Sequence, residues 1–133
     1  MIVLDASALL ELLLETSTGH HVAGLIADAA TGLHVPHLAD VEVTHALRRY
    51  VRERALNAAE AGAAIGVLHA LDLQRHSHEP LLDRVWELRD NMSAYDAVYV
   101  ALAEALDARL LTCDGRLARA PGGRAQIELV QGE

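Results

Sequence analysis

Residues 93–115 read SAYDAVYVALAEALDARLLTCDG. The segment opens on S-x-x-D, Ser93 to Asp96, a capping box that starts a helix by satisfying the orphan N–H groups of its first turn. A nearly apolar helix runs on to Leu106. The β-rich run Arg109 to Thr112 then reads as a buried strand. Asp114-Gly115 turns the chain, and Arg116 to Arg119 predicts one more helical turn. Helix, short connection, strand, and an acid just past the strand end describe one unit of an α/β domain with a parallel sheet.

The opening stretch, MIVLDASALL, has the same grammar. Met1 to Leu4 predicts a buried strand that Asp5 closes, and Ser7 is the expected N-cap of a helix over Ala8 to Leu14. A second helix is expected from Ser17 or Thr18 to Ala30, stopped by Thr31-Gly32. A short strand over Leu33 to Val35 breaks at Pro36, and helices are expected over Leu38 to Arg54 and from the Asn57 cap to Leu71. Leu73 to His76 reads as a short strand or a loop. Pro80 suits the first turn of a helix ending near Asp90, and Ile127 to Val130 predicts a last strand. The alternation implies a central, mainly parallel sheet of four to five strands with helices on both faces. No repeat or linker divides the chain, so one domain is expected over residues 1–133.

Composition narrows the chemistry. Hydrophobic residues make up 52% of 133 positions and charged residues 23%, which suits a packed globule. No apolar run approaches the ~18 residues of a membrane span, and the first residues carry no basic segment of a secretory signal. One cysteine, Cys113, excludes an intrachain disulfide framework and suits a reducing cytoplasm. Strand alternation predicts that it points into the core. All 11 basic residues are arginine, against 19 acids, for a net charge of −8. Without lysine there is no Walker A or Schiff-base chemistry. The net charge argues against binding nucleic acid by counterion release alone, so such binding needs a local arginine patch or metal ions that invert the sign of an acidic pocket.

Ligands of open parallel sheets bind beyond the carboxyl ends of the strands. Four acids fall at such places: Asp5 after the first strand, Glu42 early in the helix after Pro36, Asp96 in the first helical turn after Ser93, and Asp114 after the strand Arg109 to Thr112. Each has a plain structural reading as well. Asp96 serves the helix dipole, Asp114 a turn, and Glu42 a solvated face, whereas an acid closing an apolar strand is costly to bury unpaired. Together in one crevice they could not all stay ionised without compensation, and Mg²⁺ or Mn²⁺ is the natural partner of carboxylates and water.

Four segments in this order resemble a PIN domain, and within that group a VapC-type toxin ribonuclease of a toxin–antitoxin pair: MIVLDASALL, PHLADVEVTHALRR, SAYDAVYVALAEAL and LLTCDGRLA. The resemblance covers essentially the full length. It implies a PIN-like α/β/α sandwich whose catalytic, metal-binding acids are Asp5, Glu42, Asp96 and Asp114, with Ser7 and Thr112 supporting the metal shell. It implies Mg²⁺- or Mn²⁺-dependent hydrolysis of RNA phosphodiesters leaving a 5′-phosphate and a 3′-hydroxyl, a homodimer, and inhibition by a cognate VapB-type antitoxin. Some members carry a further acid where this chain has Arg116. Either Glu42 or Asp96 would accept the proton from the attacking water.

Arg48, Arg49, Arg52 and Arg54 end the Glu42 helix and, with Arg116 and Arg119, are candidates for RNA phosphates; a solvated helix end is the plain alternative. His45, one turn past Glu42, reads as a proton shuttle or as a surface residue. His20, His21, His76 and His78 lack zinc-site spacing and read as surface or loop histidines. The helix from Ala94 to Leu106 and the leucine-rich helix from Ala8 to Leu14 look too apolar for one buried face. The fold core or a second copy would cover the first, and the fold core or an antitoxin helix the second. The rival functions are a small-molecule phosphohydrolase, disfavoured because no lysine attends the acids and no D-x-D pair follows the first strand, and a catalytically silent PIN-fold binding protein.

Overall fold

The computed structural model describes residues 1–27 and 32–132. Five strands form one sheet: β1 (Ile2–Leu4), β2 (Leu33–Pro36), β3 (Leu73–His76), β4 (Arg109–Thr112) and β5 (Ile127–Leu129). All pairings are parallel and the order is β3-β2-β1-β4-β5. The helices are α1 (Ala6–Leu13), α2 (Ser17–Ala27), α3 (Leu38–Arg52), α4 (Ala58–Ala70), α5 (Leu82–Glu87), α6 (Ala94–Leu106) and α7 (Gly115–Arg119), with a 3₁₀ turn at Glu79–Leu81. The expected helix end at Ala30 and its stop at Thr31 lie outside the described residues.

The chain leaves β1 toward β2 and β3, then crosses back past β1 to β4 and β5. Right-handed crossovers therefore put α1 to α4 on one face and α5 and α6 on the other. The contacts agree: α1 packs on α2 and α3, and α6 packs on α5 and across β1, β2 and β4. β1 and β4 are buried on both faces, as their unbroken apolar runs require. The reversal of direction opens a crevice at the carboxyl ends of these two central strands.

Several boundaries differ from the sequence reading. Asp5, not Ser7, caps α1: its Oδ1 accepts the Ala8 N–H at 2.9 Å, so strand and helix meet at a single residue. Leu73 to His76 is a strand, paired along its length with β2. His76 is a strand residue, while His78 lies in the connection after β3, as read from the sequence. The His34 and His76 rings pair between β2 and β3 (Nδ1 to Nε2, 2.9 Å). His78 Nε2 accepts the Leu38 N–H at 2.8 Å, so an imidazole satisfies the first turn of α3. Most of the apolar circumference of α6 is covered by the fold itself, since every residue from Ala97 to Ala103 is buried within one chain, while Tyr95 in its first turn stays 62% exposed. Leu9, Leu10 and Leu13 of α1 are likewise in the core. The core thus covers most of the apolar surface of both helices, with Leu12 and Leu14 partly buried against it. Cys113 is half-buried against the core, and burial with nearby Asp5 and Glu11 pushes its thiol up to about 12. Among the described residues no helix is long and apolar enough to cross a membrane.

α1 and α2 make the closest helix pair, and Gly19 permits it: a Cβ there would stand 2.0 Å from the Glu11 carbonyl oxygen. Gly24, on the same helix, has nothing within 4 Å of its would-be Cβ. The two glycines therefore predict opposite signs. Gly19→Ala should lower stability by about 1–3 kcal/mol through backbone overpacking. Gly24→Ala should raise it by about 0.5–1 kcal/mol through helix propensity. Urea denaturation followed by circular dichroism measures both.

Candidate active site

Asp5 sits at the joint of β1 and α1 and is buried, 5% exposed. Its carboxylate is fully engaged. Oδ1 accepts the Ser7 hydroxyl at 2.6 Å and the Ala8 N–H, and Oδ2 accepts the Thr112 hydroxyl at 2.5 Å. The two hydroxyls are themselves acceptors from backbone N–H groups of the segment at the end of β4. Ser7 Oγ takes the Cys113 N–H at 2.8 Å and Thr112 Oγ1 takes the Asp114 N–H at 2.9 Å. Each backbone bond fixes the direction in which its hydroxyl proton points, toward Asp5. This one carboxylate therefore joins β1, α1 and the end of β4.

The other acids arrive on separate elements. Ser93 Oγ accepts the Asp96 N–H at 3.1 Å, which anchors the first turn of α6, while the Asp96 side chain turns to the crevice. Asp114 caps α7, its Oδ1 accepting the Arg116 N–H at 2.9 Å. Glu42, on α3, accepts the Tyr99 hydroxyl at 2.6 Å. All four carboxylates line one cavity of about 370 Å³.

Their electrostatics show the cost of assembly. Burial raises Asp5 above the usual carboxylate range, against the pull of Ser7, Thr112 and the Ala8 N–H, and Asp96 adds to the rise. Burial raises Glu42 too, opposed by Tyr99 and reinforced by Asp96 and Asp5. Asp96 is raised by burial and then by Asp114, with Ser93 and Arg116 acting the other way. The Tyr99 hydroxyl, buried and bonded to Glu42, is held far above its ordinary range and stays a donor.

Arg49 joins the crevice wall through its place on the Glu42 face of α3. Its guanidinium lies 5.3 Å from the Tyr50 ring centroid and 4.0 Å from Glu53. Arg48 and Arg52 are exposed and are not part of this wall. Arg116 is highly exposed, with Nε 3.8 Å from Asp114 Oδ1. His45 lines the crevice. Two participants escaped the sequence reading. Tyr99 lies three residues after Asp96, on the same helical face, and this spacing was the available signal. Glu11 also lines the crevice, and its signal was the single charge interrupting the apolar run Ala8 to Leu14. A larger cavity of about 590 Å³ beside His20, His21 and β5 has one carboxylate, Glu128, and gathers no comparable set.

These acids suit a hydrated hard cation. Among the described residues, no three acid, histidine or cysteine side chains stand close enough together to cage an ion directly. The carboxylates nevertheless raise one another, and a cation relieves that repulsion. Mg²⁺ keeps several waters and takes one or two carboxylates directly, which fits an open acidic crevice better than a closed zinc-type set does.

The PIN domain family matches residues 2–123. The chain belongs to the PIN-domain family. Within it, the chain falls among the VapC ribonucleases. It is 44% identical over 131 residues to Ribonuclease VapC1 of Mycobacterium tuberculosis, covering 97% of each chain. It is 42% identical over 130 residues to Ribonuclease VapC9 of the same species, covering 98% of each. The same fold occurs in VapBC2 from Rickettsia felis, with a TM-score of 0.72 at 13% identity over 98% of this chain and 100% of that one. The PIN-like α/β/α architecture anticipated from the sequence is thus the one observed, with a sheet of five parallel strands.

The raised acids of this PIN domain give a stability prediction with a definite sign. A carboxyl whose pKa is higher folded than unfolded favours the fold while it is protonated and loses that contribution as pH rises through the folded pKa. Asp96→Asn should therefore raise the melting temperature at pH 7 in EDTA, by about 2–5 °C. The gain should shrink toward pH 4. Differential scanning fluorimetry across that range tests it; a destabilised variant at pH 7 would contradict it.

Proposed function

We propose that this chain is a metal-dependent endoribonuclease, the toxin of a toxin–antitoxin pair, and that Asp5, Glu42, Asp96 and Asp114 are its catalytic, metal-binding residues. The observation that carries the reading is the meeting of four carboxylates, from β1, α3, α6 and the end of β4, in one crevice of a chain 44% identical to a protein named a ribonuclease. Mg²⁺ or Mn²⁺, bound there, supplies an activated water and a counter-charge for the phosphodiester.

The chain's own residues do the remaining work. Asp5 is the fixed ligand, since three donors hold its carboxylate in one orientation. Ser7 and Thr112 support it and tie its position to the end of β4. Asp96 and Asp114 complete the acidic wall. Glu42 has one oxygen held by Tyr99, which leaves the other to take a proton from the attacking water, and its raised pKa suits it to that task. Arg49 is placed for a non-bridging phosphate oxygen, with Arg116 as a second, outer cation; Arg48 and Arg52 would meet only more distant phosphates. The same reading has the chain work in the cytoplasm, as a homodimer held in check by a VapB-type antitoxin. Such a partner would lay an amphipathic segment on the chain.

Purified chain is incubated with total cellular RNA in Mg²⁺, Mn²⁺ or EDTA, and the new 5′-phosphate ends are sequenced. Discrete cuts that need the metal are the expected result. Asp5→Asn keeps the shape of the side chain and should lower the rate by about 100-fold or more, the scale on which one preorganised charge matters, with circular dichroism unchanged. Wild-type cleavage by Asp5→Asn in the presence of metal would overturn the assignment.

A further inference from the structure

The crevice does not end at Asp5, Glu42, Asp96 and Asp114. It runs on as a trough between α1 and α3, where Leu10 and Glu11 form one wall and Ala46, Arg49 and Tyr50 the other. At about 1.5 Å of rise per residue, Glu11 stands roughly 6 Å along α1 from Ser7, and Arg49 roughly 10 Å along α3 from Glu42. The outer reach of the crevice therefore sets a carboxylate on one wall and a guanidinium on the other, a step away from the four acids.

Glu11 is held in place by the joint of α1 and α2. The Thr16 hydroxyl donates to its Oε2, and the same hydroxyl oxygen accepts the Gly19 N–H at 2.9 Å. The Thr16 N–H donates to the Glu11 carbonyl at 3.3 Å. A threonine thus fixes this carboxylate much as Thr112 fixes Asp5. The Glu11 Oε1 accepts no hydrogen bond among the described residues. Glu11 also stands apart from the set that an ion would compensate: the neighbouring carboxylates that raise Asp5, Glu42 and Asp96 are those of Asp5, Asp96 and Asp114, and Glu11 is not among them.

A carboxylate can only accept hydrogen bonds. It repels phosphate, which Arg49 on the opposite wall attracts. With a phosphate on Arg49, the sugar–phosphate backbone lies along the trough, and the donor it offers to the other wall is a ribose hydroxyl. We propose that Glu11 accepts the 2′-hydroxyl of a nucleotide flanking the scissile phosphate and thereby makes the site select RNA over DNA. The inference rests on the ribonuclease reading and names the residue behind its choice of sugar. DNA in the same trough would leave Oε1 against a C–H group with a phosphate nearby and no donor between them. A site built to bond a hydroxyl rejects the analogue that lacks it, and the 2′-hydroxyl is the group that separates RNA from DNA. Hydrolysis by a metal-activated water does not consume this hydroxyl, so its removal reports recognition.

The test uses an oligoribonucleotide spanning a cut found by sequencing the 5′-phosphate ends, with single 2′-deoxy positions. One deoxy position flanking the scissile phosphate should lower kcat/KM about tenfold or more, the lower end for a hydrogen bond to a charged group. Glu11→Ala should lower kcat/KM on the all-ribose strand by a similar factor and be indifferent to that position, with penalties at other positions retained. Glu11→Gln keeps the shape and one acceptor and should show a reduced penalty. Thr16→Val, which removes the holder without touching the crevice wall, should lose part of the same discrimination. Circular dichroism and melting confirm that each variant is folded. A full deoxy penalty in Glu11→Ala would overturn the proposal. So would weaker Mn²⁺ binding by Glu11→Ala in calorimetry, which would make Glu11 an ion ligand, or a dependence on the base at that position that Glu11→Ala abolishes while the sugar dependence stays, which would make it a base reader. Equal cleavage of every singly deoxy strand would overturn the proposal and leave the ribonuclease reading standing; no metal-dependent cleavage of any RNA would sink both.

Discussion

The structure depends on a buried carboxylate. Asp5 is placed where strand β1 becomes helix α1 with no loop between them, at the carboxyl end of the central strand. An unpartnered acid there would cost several kcal/mol. Three donors offset part of that cost, and they come from both sides of the switch in strand order: Ser7 and Ala8 on α1, and Thr112 at the end of β4. The same bonds that make Asp5 tolerable close the crevice between β1 and β4. Fold and site therefore share one set of hydrogen bonds, and the Ser7 and Thr112 hydroxyls serve both.

The remaining acids are held less firmly, and this difference has a use. Glu42 has one firm bond to a side chain, from Tyr99, and Asp96 and Asp114 sit at helix starts where the N–H groups and the dipole favour negative charge. None of these arrangements cancels the burial, reinforced by neighbouring carboxylates, that raises Asp5, Glu42 and Asp96 together. A site that is comfortable when empty has little reason to bind a cation. This one carries uncompensated charge in the crevice and fixes only one of its carboxylates rigidly, a combination that would suit an ion that keeps water molecules and exchanges one of them.

Much of this was legible in the sequence because the period of the pattern was clear where burial is complete. The strands around Val3 and Leu110 are continuous apolar runs, and α6 announces its start at Ser93 and its length by its apolar residues. The joint at Asp5 was misread because Ser7 is also a good cap; only the absence of a loop decides between them, and loop length is a tertiary fact. β3 was ambiguous because Gln74 and Arg75 are exposed on an edge strand that shows just one clear apolar position. The four acids could be named because each follows a strand or opens a helix. Tyr99 and Glu11 could not be, because a tyrosine in a core helix and a single acid in an apolar run have ordinary explanations until the three-dimensional crevice shows both facing it. The apolar excess of α6 pointed toward a partner for the opposite reason: a helix lying over three strands and against α5 is covered on most sides by its own chain, which periodicity alone does not reveal.

An acidic chain without lysine has to hold RNA by means other than a broad cationic surface. With a net charge of −8, long-range attraction to the phosphate backbone is absent, and affinity has to be assembled locally. Arg49 is the one arginine that shares a wall with the acids, and it is stacked near Tyr50 and drawn toward Glu53, so its charge is partly committed. Under that constraint a cation held by the crevice acids would do double duty, activating water and reversing the local sign.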